Sequence, residues 1–226
     1  MNNAPLRIFI GYDPRQPISY NVLQQSIAIR STVPVAITPL ILEQLPIKRR
    51  GLTPFTWSRF LVPWICKYHG WALFLDSDML VMDDISKLFG FADAKYDVMV
   101  RKSPWRFEWA SAILFNNSRC KKLTPEFVEQ ADGLHGMKWT EKVGELPKEW
   151  NHIVFYDDEN PEASLIHYTG GIPIYPETRG CEWTDDYLND AKMMSASVPW
   201  KTLMGGSVHV AKVQDHLEKR KAANES

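Results

Sequence analysis

The stretch WALFLDSD, residues 71–78, is the part of the sequence that indicates the fold most clearly. Its first five residues are apolar, as is typical of a central parallel strand that is buried on both faces of a sheet. The run ends on Asp76 and Asp78, two carboxylates that lie two residues apart. Because ligands of open α/β sheets bind outside the carboxyl ends of the strands, we expect both acids at a ligand site. Neighbouring carboxylates repel each other unless a cation lies between them, and oxygen ligands suit Mg²⁺ or Mn²⁺.

The chain before this strand predicts the start of an α/β sheet. Leu6–Ile10 is a short apolar run that precedes a Gly-Tyr-Asp-Pro turn, and Val35–Leu40 is a second run rich in β-branched residues. Between them, residues 17–31 have apolar positions at helical spacing. Residues 56–68 also have helical spacing, although Pro63 should kink that helix or end it early.

The rest of the chain predicts a single domain over residues 1–226. It divides into residues 1–78, which end at the D-x-D, residues 79–207, and a C-terminal helix and tail (208–226). Thr124-Pro125-Glu126 is a good helix start because it combines an N-cap, a proline and a first-turn acid. Further strands are predicted at Val98–Val100, Ser111–Phe115, Ile153–Phe155 and Leu165–His167.

Composition excludes several classes of protein. The 226 residues carry 26 Lys plus Arg and 27 Asp plus Glu, so the net charge of −1 excludes a globally basic nucleic-acid binder. The three cysteines have no zinc-site spacing, and no apolar run approaches the ~20 residues of a membrane span. The first residues lack the apolar stretch of a signal peptide, so we expect a cytoplasmic location. Nine tryptophans hint at carbohydrate handling.

Two further motifs point to a nucleotide ligand. In LIHYTGG, residues 165–171, a strand ends on His167, which could be a metal ligand, and the paired glycines allow the backbone to approach a phosphate closely. After the first strand, Tyr12 could stack on a base and Asp13 could accept a hydrogen bond from a base or ribose. Neither dinucleotide-binding nor P-loop spacing is present.

These pieces, in this order, resemble glycosyltransferases of the glycogenin and lipopolysaccharide glycosyltransferase type, family 8 and its bacterial relatives. The resemblance implies a single α/β domain of GT-A fold, Rossmann-like, with a mixed central sheet. Residues 1–78 would form its nucleotide-binding half and residues 79–207 its acceptor and sugar half. The chain would form a divergent, bacterial-like branch. The matching segments are Ile8–Asp13, Thr56–Phe60, Leu73–Asp78, Trp109–Asn116, Leu146-Pro147 with Trp150-Asn151, and His167–Gly171.

The resemblance implies a UDP-sugar donor and Mn²⁺, or Mg²⁺, held by the catalytic residues Asp76, Asp78 and His167. Gly11–Asp13 would hold the base and ribose, and Arg59 would face the nucleotide or its phosphates. The residues assigned in this way to the donor nucleotide are Ile10, Gly11, Tyr12, Asp13, Arg59, Ser77, Gly170 and Gly171. Those assigned to the donor sugar are Ser111 and Asn116, those near the acceptor are Trp150 and Asn151, and Trp105, Trp109 and Trp150 are candidates for stacking on a sugar.

The implied reaction is transfer of a hexosyl group to an acceptor hydroxyl with retention at the anomeric carbon. The acceptor would be a glycan, a lipid-linked molecule or a protein. Retention could proceed by front-face attack, in which the diphosphate takes the acceptor proton, or through a protein nucleophile, for which Asp157 and Asp158 are candidates.

The chain departs from the family pattern at Pro173. That position holds a lysine in the family, which helps to bind the diphosphate, and no lysine lies nearby. Arg179 or Arg101 could take its place.

Two other functions remain open from the sequence. A phosphatase of the haloacid-dehalogenase type also uses an apolar strand that ends in D-x-D, with its first aspartate as nucleophile. That class normally has its D-x-D near the chain start, and it leaves His167 and the paired glycines unexplained. A non-catalytic carbohydrate-binding protein on a transferase scaffold is the other alternative, supported only by the missing lysine.

Overall fold

A mixed six-stranded sheet forms the centre of residues 4–194, which are the residues that this computed structural model describes. The order of its strands is β2-β1-β3-β6-β5-β7, and a smaller sheet has the order β4-β9-β8. In chain order the strands are β1 (Leu6–Gly11), β2 (Val35–Leu40), β3 (Trp71–Leu75), β4 (Met79–Val81), β5 (Val98–Val100), β6 (Ala112–Asn116), β7 (Val143–Glu145), β8 (His152–Ile153) and β9 (Leu165–His167).

Strand β3 lies at the centre of the large sheet. It pairs parallel with β1, where Ile8 lies opposite Leu73, and antiparallel with β6, where Leu75 lies opposite Ala112. The prediction of a buried central strand is therefore confirmed, since four of its five residues are fully buried. Its pairing is parallel on one side and antiparallel on the other, so the large sheet is mixed as predicted.

The small sheet begins where β3 ends. Only Asp76, Ser77 and Asp78 separate β3 from β4, and β4 pairs antiparallel with β9 so that Met79 lies opposite His167. The chain thus passes from one sheet to the other through the D-x-D segment. This passage brings the end of β9 beside the two acids.

Helices cover the sheet and connect its strands. The longest, α1, follows the predicted range closely, and the Thr124 hydroxyl caps α5 by accepting a hydrogen bond from the Phe127 amide. The predicted helix over residues 56–68 is instead three short helical turns. The α-helices are α1 (Pro17–Arg30), α2 (Phe55–Ser58), α3 (Val62–Ile65), α4 (Ser86–Phe89), α5 (Pro125–Gln130) and α6 (Thr184–Met194), and the 3₁₀ turns are Leu42–Gln44, Arg59–Leu61, Arg106–Ala110, Asn117–Arg119 and Lys148–Asn151.

Two apolar cores pack on opposite faces of the large sheet, because alternate strand residues point to opposite faces. Phe9, Phe74 and Ile113 belong to one core. Leu73 and Leu75 belong to the other, which α1 helps to cover. The site-bearing end of β3 is therefore held rigidly from both sides.

Residues up to Ala191 form one compact unit, and the described part of a second unit, residues 192–194, is the end of α6. The helix predicted over residues 208–221, the tail, and the boundary at residue 207 lie outside the described residues. Cys66, Cys120 and Cys181 are all free thiols. Among residues 4–194, no helix has the length and hydropathy that a membrane crossing requires.

Candidate functional site

The structure brings Asp76, Asp78 and His167 together at the end of β3. One ligand atom from each residue lies within 4.8 Å of the others. Backbone hydrogen bonds hold the segment on both sides, since the Asp76 amide donates to the Ser111 carbonyl at 2.8 Å and the Tyr168 amide donates to the Asp78 carbonyl at 2.9 Å. The three side chains converge because both sheets terminate at this point.

Asp76 is paired with Arg59, which the sequence analysis placed at the nucleotide. Arg59 Nη2 lies 2.9 Å from Asp76 Oδ1, and Nη1 donates to Oδ2 at 3.1 Å. The guanidinium is buried and also donates to the carbonyls of Ala110 and Phe55. The pKa of Asp76 is raised to about 7. Burial is the main cause and the charge of Asp78 adds to it, while the charge of Arg59 acts in the opposite direction.

His167 lies between two carboxylates. Its Nε2 is 3.6 Å from Asp78 Oδ1, and its Nδ1 is 3.5 Å from Glu108 Oε2. Burial by itself lowers the pKa of this imidazole, but Asp78 and then Glu108 outweigh burial, so that the pKa is raised. The ring therefore lies in a strongly negative environment, which favours the binding of a cation beside it.

Glu108 is a site residue that the sequence analysis missed. It is buried, and its Oε1 accepts a hydrogen bond from the Thr169 hydroxyl at 2.8 Å while Oε2 faces His167. The segment RFEWA, residues 106–110, gives little signal, since one acid among aromatic residues resembles an exposed loop. Only the 3₁₀ turn over Arg106–Ala110 turns this carboxylate inward.

The donor atoms of the site fit a divalent cation. Asp78 Oδ1 is buried and makes no hydrogen bond among the described residues, and His167 Nε2 lies 3.6 Å from it, while His167 Nδ1 faces Glu108 on the other side of the ring. Asp76 Oδ1 is also without an aligned hydrogen bond, although the charged Arg59 lies close to it. Buried polar atoms without partners are rare in folded proteins. Two carboxylates and an imidazole form a donor set that suits Mn²⁺, and also Mg²⁺ through its oxygens.

The predicted nucleotide segment lies at the same edge of the sheet as the acids. Because β1 and β3 are parallel neighbours, residues 11–13 and 76–78 follow adjacent carboxyl ends. Gly11 packs closely against the Phe55 ring, where a Cβ would lie 2.3 Å from Cγ. Asp13 accepts hydrogen bonds from Arg15, which lower its pKa against the effect of burial. Ile10, by contrast, has a fully buried side chain that packs in the core.

The two glycines after β9 also lie beside the site. Gly171 has a φ of +118°, a backbone conformation that residues with a side chain rarely adopt. Its amide donates to the Tyr168 carbonyl at 2.8 Å. Gly170 lies against the ring of Phe155. Ser77, between the two acids, is buried.

The structure places the predicted sugar-side residues in three different environments. Ser111 and Asn151 meet at the site, since the Asn151 amide donates to Ser111 Oγ at 3.0 Å and Ser111 Oγ donates to the Glu108 carbonyl at 2.6 Å. Trp150 is 3% exposed and packs in the core, so no sugar can stack on it. Trp109 donates its indole N–H to the Ser103 carbonyl and lies beneath Arg106.

Asn116 lies at the other end of the sheet from the acids. It ends β6, which runs antiparallel to β3, so it lies opposite Trp71 at the start of β3. Its amide donates to the Tyr96 carbonyl and accepts from the Ser118 hydroxyl. The structure therefore does not bring Asn116 to the donor side. The sequence pattern does not reveal this position, because it does not record the direction of β6.

The two candidates for the missing lysine also differ. Arg101 is committed elsewhere, because it forms a salt bridge with Asp157 and donates to the Asn151 carbonyl at 2.7 Å. Arg179 is exposed in the segment after Gly171 and forms no ion pair within residues 4–194. Of these two, only Arg179 has a free guanidinium.

Similarity to a plant protein shows which family the chain belongs to. Protein CDI of Arabidopsis thaliana is 34% identical to this chain over 224 residues, and the alignment covers 82% of this chain and 86% of the plant protein. The chain belongs to the Protein CDI family. No protein-family model matches the sequence of this CDI-family chain.

Several solved structures that share the fold are glycosyltransferases. The bifunctional glycosyltransferase WbbM matches with a TM-score of 0.67 at 15% identity, over 88% of this chain. GlyE of Streptococcus pneumoniae matches with a TM-score of 0.62 at 15% identity, over 83% of this chain. The chain spans only 51% of the WbbM chain and 60% of the GlyE chain.

The galactosyltransferase LgtC, solved in complex with donor and acceptor sugar analogues, gives a third match. Its TM-score is 0.59 at 15% identity, and the match covers 87% of this chain and 98% of LgtC. At this level of identity, these similarities establish the fold alone. The predicted α/β GT-A fold with a mixed central sheet is confirmed.

Proposed function

We propose that this chain is a glycosyltransferase that moves a hexosyl group from a nucleotide-diphospho-sugar, a UDP-sugar, to an acceptor hydroxyl in a metal-dependent reaction. The observation that carries the proposal is the convergence of Asp76, Asp78 and His167 at the end of β3, where Asp78 has an unpartnered buried oxygen and His167 Nε2 lies 3.6 Å from it. The GT-A fold and the resemblance to family 8 support the choice of reaction.

In this proposal, Asp76, Asp78 and His167 hold Mn²⁺ or Mg²⁺. The bound cation would neutralise charge on the departing diphosphate. Arg59 keeps Asp76 oriented and ionisable, because its guanidinium opposes the effect of burial on that carboxyl. Residues 11–13 hold the base and ribose, while Gly170 and Gly171 let the backbone approach the phosphates.

Retention at the anomeric carbon is part of the proposal. The acceptor oxygen forms the new bond to the anomeric carbon, the bond from that carbon to the diphosphate breaks, and the acceptor proton passes to the departing diphosphate. Asp157 is poorly placed as a nucleophile, since it forms a salt bridge with Arg101 and accepts a hydrogen bond from the Ile153 amide at 2.7 Å. This favours front-face attack over a covalent intermediate. The acceptor is a glycan, a lipid-linked molecule or a protein.

A thermal-shift screen of UDP-, GDP- and CDP-sugars, with and without Mn²⁺, tests the proposal. Stabilisation follows ligand occupancy, so we expect UDP-sugars with Mn²⁺ to raise the melting temperature the most. UDP release from the same mixture should accompany stabilisation, which separates an enzyme from a non-catalytic binder. Hydrolysis of p-nitrophenyl phosphate, without nucleotide-sugar turnover, would instead establish the phosphatase.

Glu108 should strengthen the metal site by orienting His167. A carboxylate that faces the other nitrogen of a metal-ligating histidine typically contributes 10–100-fold to metal affinity. We therefore expect Glu108→Gln to weaken Mn²⁺ binding by about this factor, as measured by calorimetry. Glu145→Gln, a change at an exposed acid on β7, is the matched control and should bind Mn²⁺ normally. Equal Mn²⁺ affinity in both variants would show that Glu108 does not orient the histidine.

Arg179 should contact the diphosphate in place of the family lysine. A charge-assisted hydrogen bond contributes about 1.5–3 kcal/mol, so Arg179→Ala should weaken UDP binding by about 10-fold or more. The affinity for uridine, which has no phosphate, should stay the same. Arg50→Ala removes an equally exposed arginine that pairs with Glu43 and serves as the control. Unchanged UDP affinity in Arg179→Ala would assign the diphosphate to another group.

A further inference from the structure

Four large aromatic side chains are exposed in two short segments near the site. Trp105 is 45% exposed, Phe107 60%, Phe155 58% and Tyr156 52%. The two segments touch, since the rings of Trp105 and Tyr156 meet edge to face with their centroids 5.5 Å apart. Single exposed apolar residues are ordinary, but a contiguous exposed patch marks a binding surface. We call these four residues the aromatic surface.

The aromatic surface adjoins the candidate metal site through both of its segments. Phe107 immediately precedes Glu108, whose carboxylate lies 3.5 Å from the His167 ring. Phe155 packs on Gly170, where a Cβ would lie 3.3 Å from the phenylalanine ring, and Gly170 follows the Thr169 that donates to Glu108. A molecule on this surface therefore lies next to the residues that would hold the donor.

The turn that presents Phe155 and Tyr156 is strained and firmly braced. Phe155 has a φ of +71°, which is uncommon for a residue with a bulky side chain. The Asp157 carboxylate pairs with Arg101 and accepts from the Ile153 amide, and the Asp157 amide donates to the Ile153 carbonyl at 3.0 Å. Strained backbone of this kind persists only where its surroundings enforce it, and it clusters at functional sites. The turn therefore holds the rings of Phe155 and Tyr156 in an exposed position.

The charges near the aromatic surface favour an uncharged, hydroxyl-rich occupant. The turn continues into Asp158 and Glu159, while in the other segment the exposed Arg106 lies beside Trp105. Charges of both signs therefore border the surface, and it offers no uniform field to an anionic membrane or a polyanion. Hydroxyl groups suit both signs, since they donate to carboxylates and accept from guanidinium groups. The flat faces of Trp105 and Tyr156 are apolar and their edges carry N–H and O–H groups. A sugar ring has the complementary construction, with an apolar C–H face and hydroxyls at its rim.

We infer that the aromatic surface binds the acceptor and that this acceptor is a neutral glycan. One or more sugar rings stack on Trp105, Phe155 and Tyr156, and the hydroxyl at the end of the glycan reaches the metal site past Phe107 and Gly170. This inference rests on the proposed function, because it assigns the second substrate of that reaction. It also replaces Trp109 and Trp150 as stacking candidates, since Trp150 is buried in the core and the half-buried Trp109 has its N–H bonded to Ser103 and its ring covered by Arg106.

Saturation-transfer NMR tests the inference with maltohexaose, cellohexaose and xylohexaose as neutral probes. The full chain is first loaded with Mn²⁺ and UDP, and each oligosaccharide is then titrated against wild type and the double variant Trp105→Ala/Tyr156→Ala. We expect at least one probe to bind wild type and its affinity to fall about tenfold or more in the double variant, because two stacking faces are lost. Phe91→Ala, which removes a partly exposed ring outside the surface, should bind the probe as wild type does.

Three results overturn the inference. The first is that none of the probes binds wild type, and the second is that wild type and the double variant bind equally well. The third is that vesicles of anionic phospholipid capture the protein through Trp105 and Tyr156, which would make the surface a membrane contact. UDP affinity is measured in parallel and should be equal in all variants. If UDP with Mn²⁺ does not bind even to wild type, the proposed function fails while the oligosaccharide titration still decides the aromatic surface.

Discussion

Replacing Asp78 by asparagine should slow sugar transfer about a thousandfold and leave the fold intact. Asp78 Oδ1 accepts no hydrogen bond within the described residues, and His167 Nε2 lies 3.6 Å from it. An asparagine side chain at this position therefore breaks no hydrogen bond within the described residues. It also removes repulsion from Asp76, which the two neighbouring carboxylates suffer without a cation. We expect the melting temperature of the metal-free variant to equal or exceed that of wild type.

The loss of function in Asp78→Asn follows from the loss of one anionic ligand. A cation that stabilises the leaving group contributes several kcal/mol, so the transfer rate should fall about a thousandfold. The stabilisation that Mn²⁺ gives to the UDP complex should disappear as well. Asp93→Asn is the control, since Asp93 is a partly exposed acid that pairs with Lys95. If Asp78→Asn retains Mn²⁺-dependent stabilisation and turnover, the metal site is wrongly assigned.

Replacing Arg59 by methionine should destabilise the fold more than any surface change. The guanidinium is buried and pairs with Asp76, which burial already makes difficult to ionise. It also supplies the hydrogen bond that the Ala110 carbonyl accepts at 2.6 Å. Breaking a buried pair by removing one partner typically costs about 3–5 kcal/mol, and we expect this loss in the free energy of unfolding measured in urea.

A second variant separates the charge of Asp76 from the packing of Arg59. In Arg59→Met/Asp76→Asn, the unpaired buried carboxylate is absent, so part of the lost stability should return. Arg50→Met breaks the exposed pair with Glu43 and should leave unfolding unchanged, because exposed ion pairs contribute little. The double variant and the single Arg59→Met variant would be equally unstable if Arg59 acted through packing alone.

The strands that organise the site could be predicted because their apolar runs are bounded by turn residues. The bounds of β2, β3, β5 and β9 agree with the prediction to the residue. As predicted, the two acids therefore follow directly after β3, and the histidine is the last residue of β9. Their meeting depends on β4, a three-residue strand directly after Asp78 that is too short to carry a pattern.

Other parts of the site depend on tertiary structure that local patterns do not record. Asn116 was expected at the donor side, but the antiparallel direction of β6 carries it to the opposite end of the sheet. Glu108 was missed because its inward orientation arises from a 3₁₀ turn and from contacts with Thr169 and His167. The resemblance placed Trp150 near the acceptor, but its ring is buried in the core, and a tryptophan in a loop and one in a core look alike in sequence.

The central claim is that Asp76, Asp78 and His167 hold a divalent cation that meets the diphosphate of the donor. Phosphorus NMR of UDP bound to the wild-type chain, titrated with Mn²⁺, tests it most directly. We expect one tightly bound Mn²⁺ per chain to broaden both phosphorus resonances of UDP, and the chelator EDTA to reverse the broadening and release the nucleotide. UDP that binds equally well with EDTA present, with sharp phosphorus resonances at one Mn²⁺ per chain, would contradict the account.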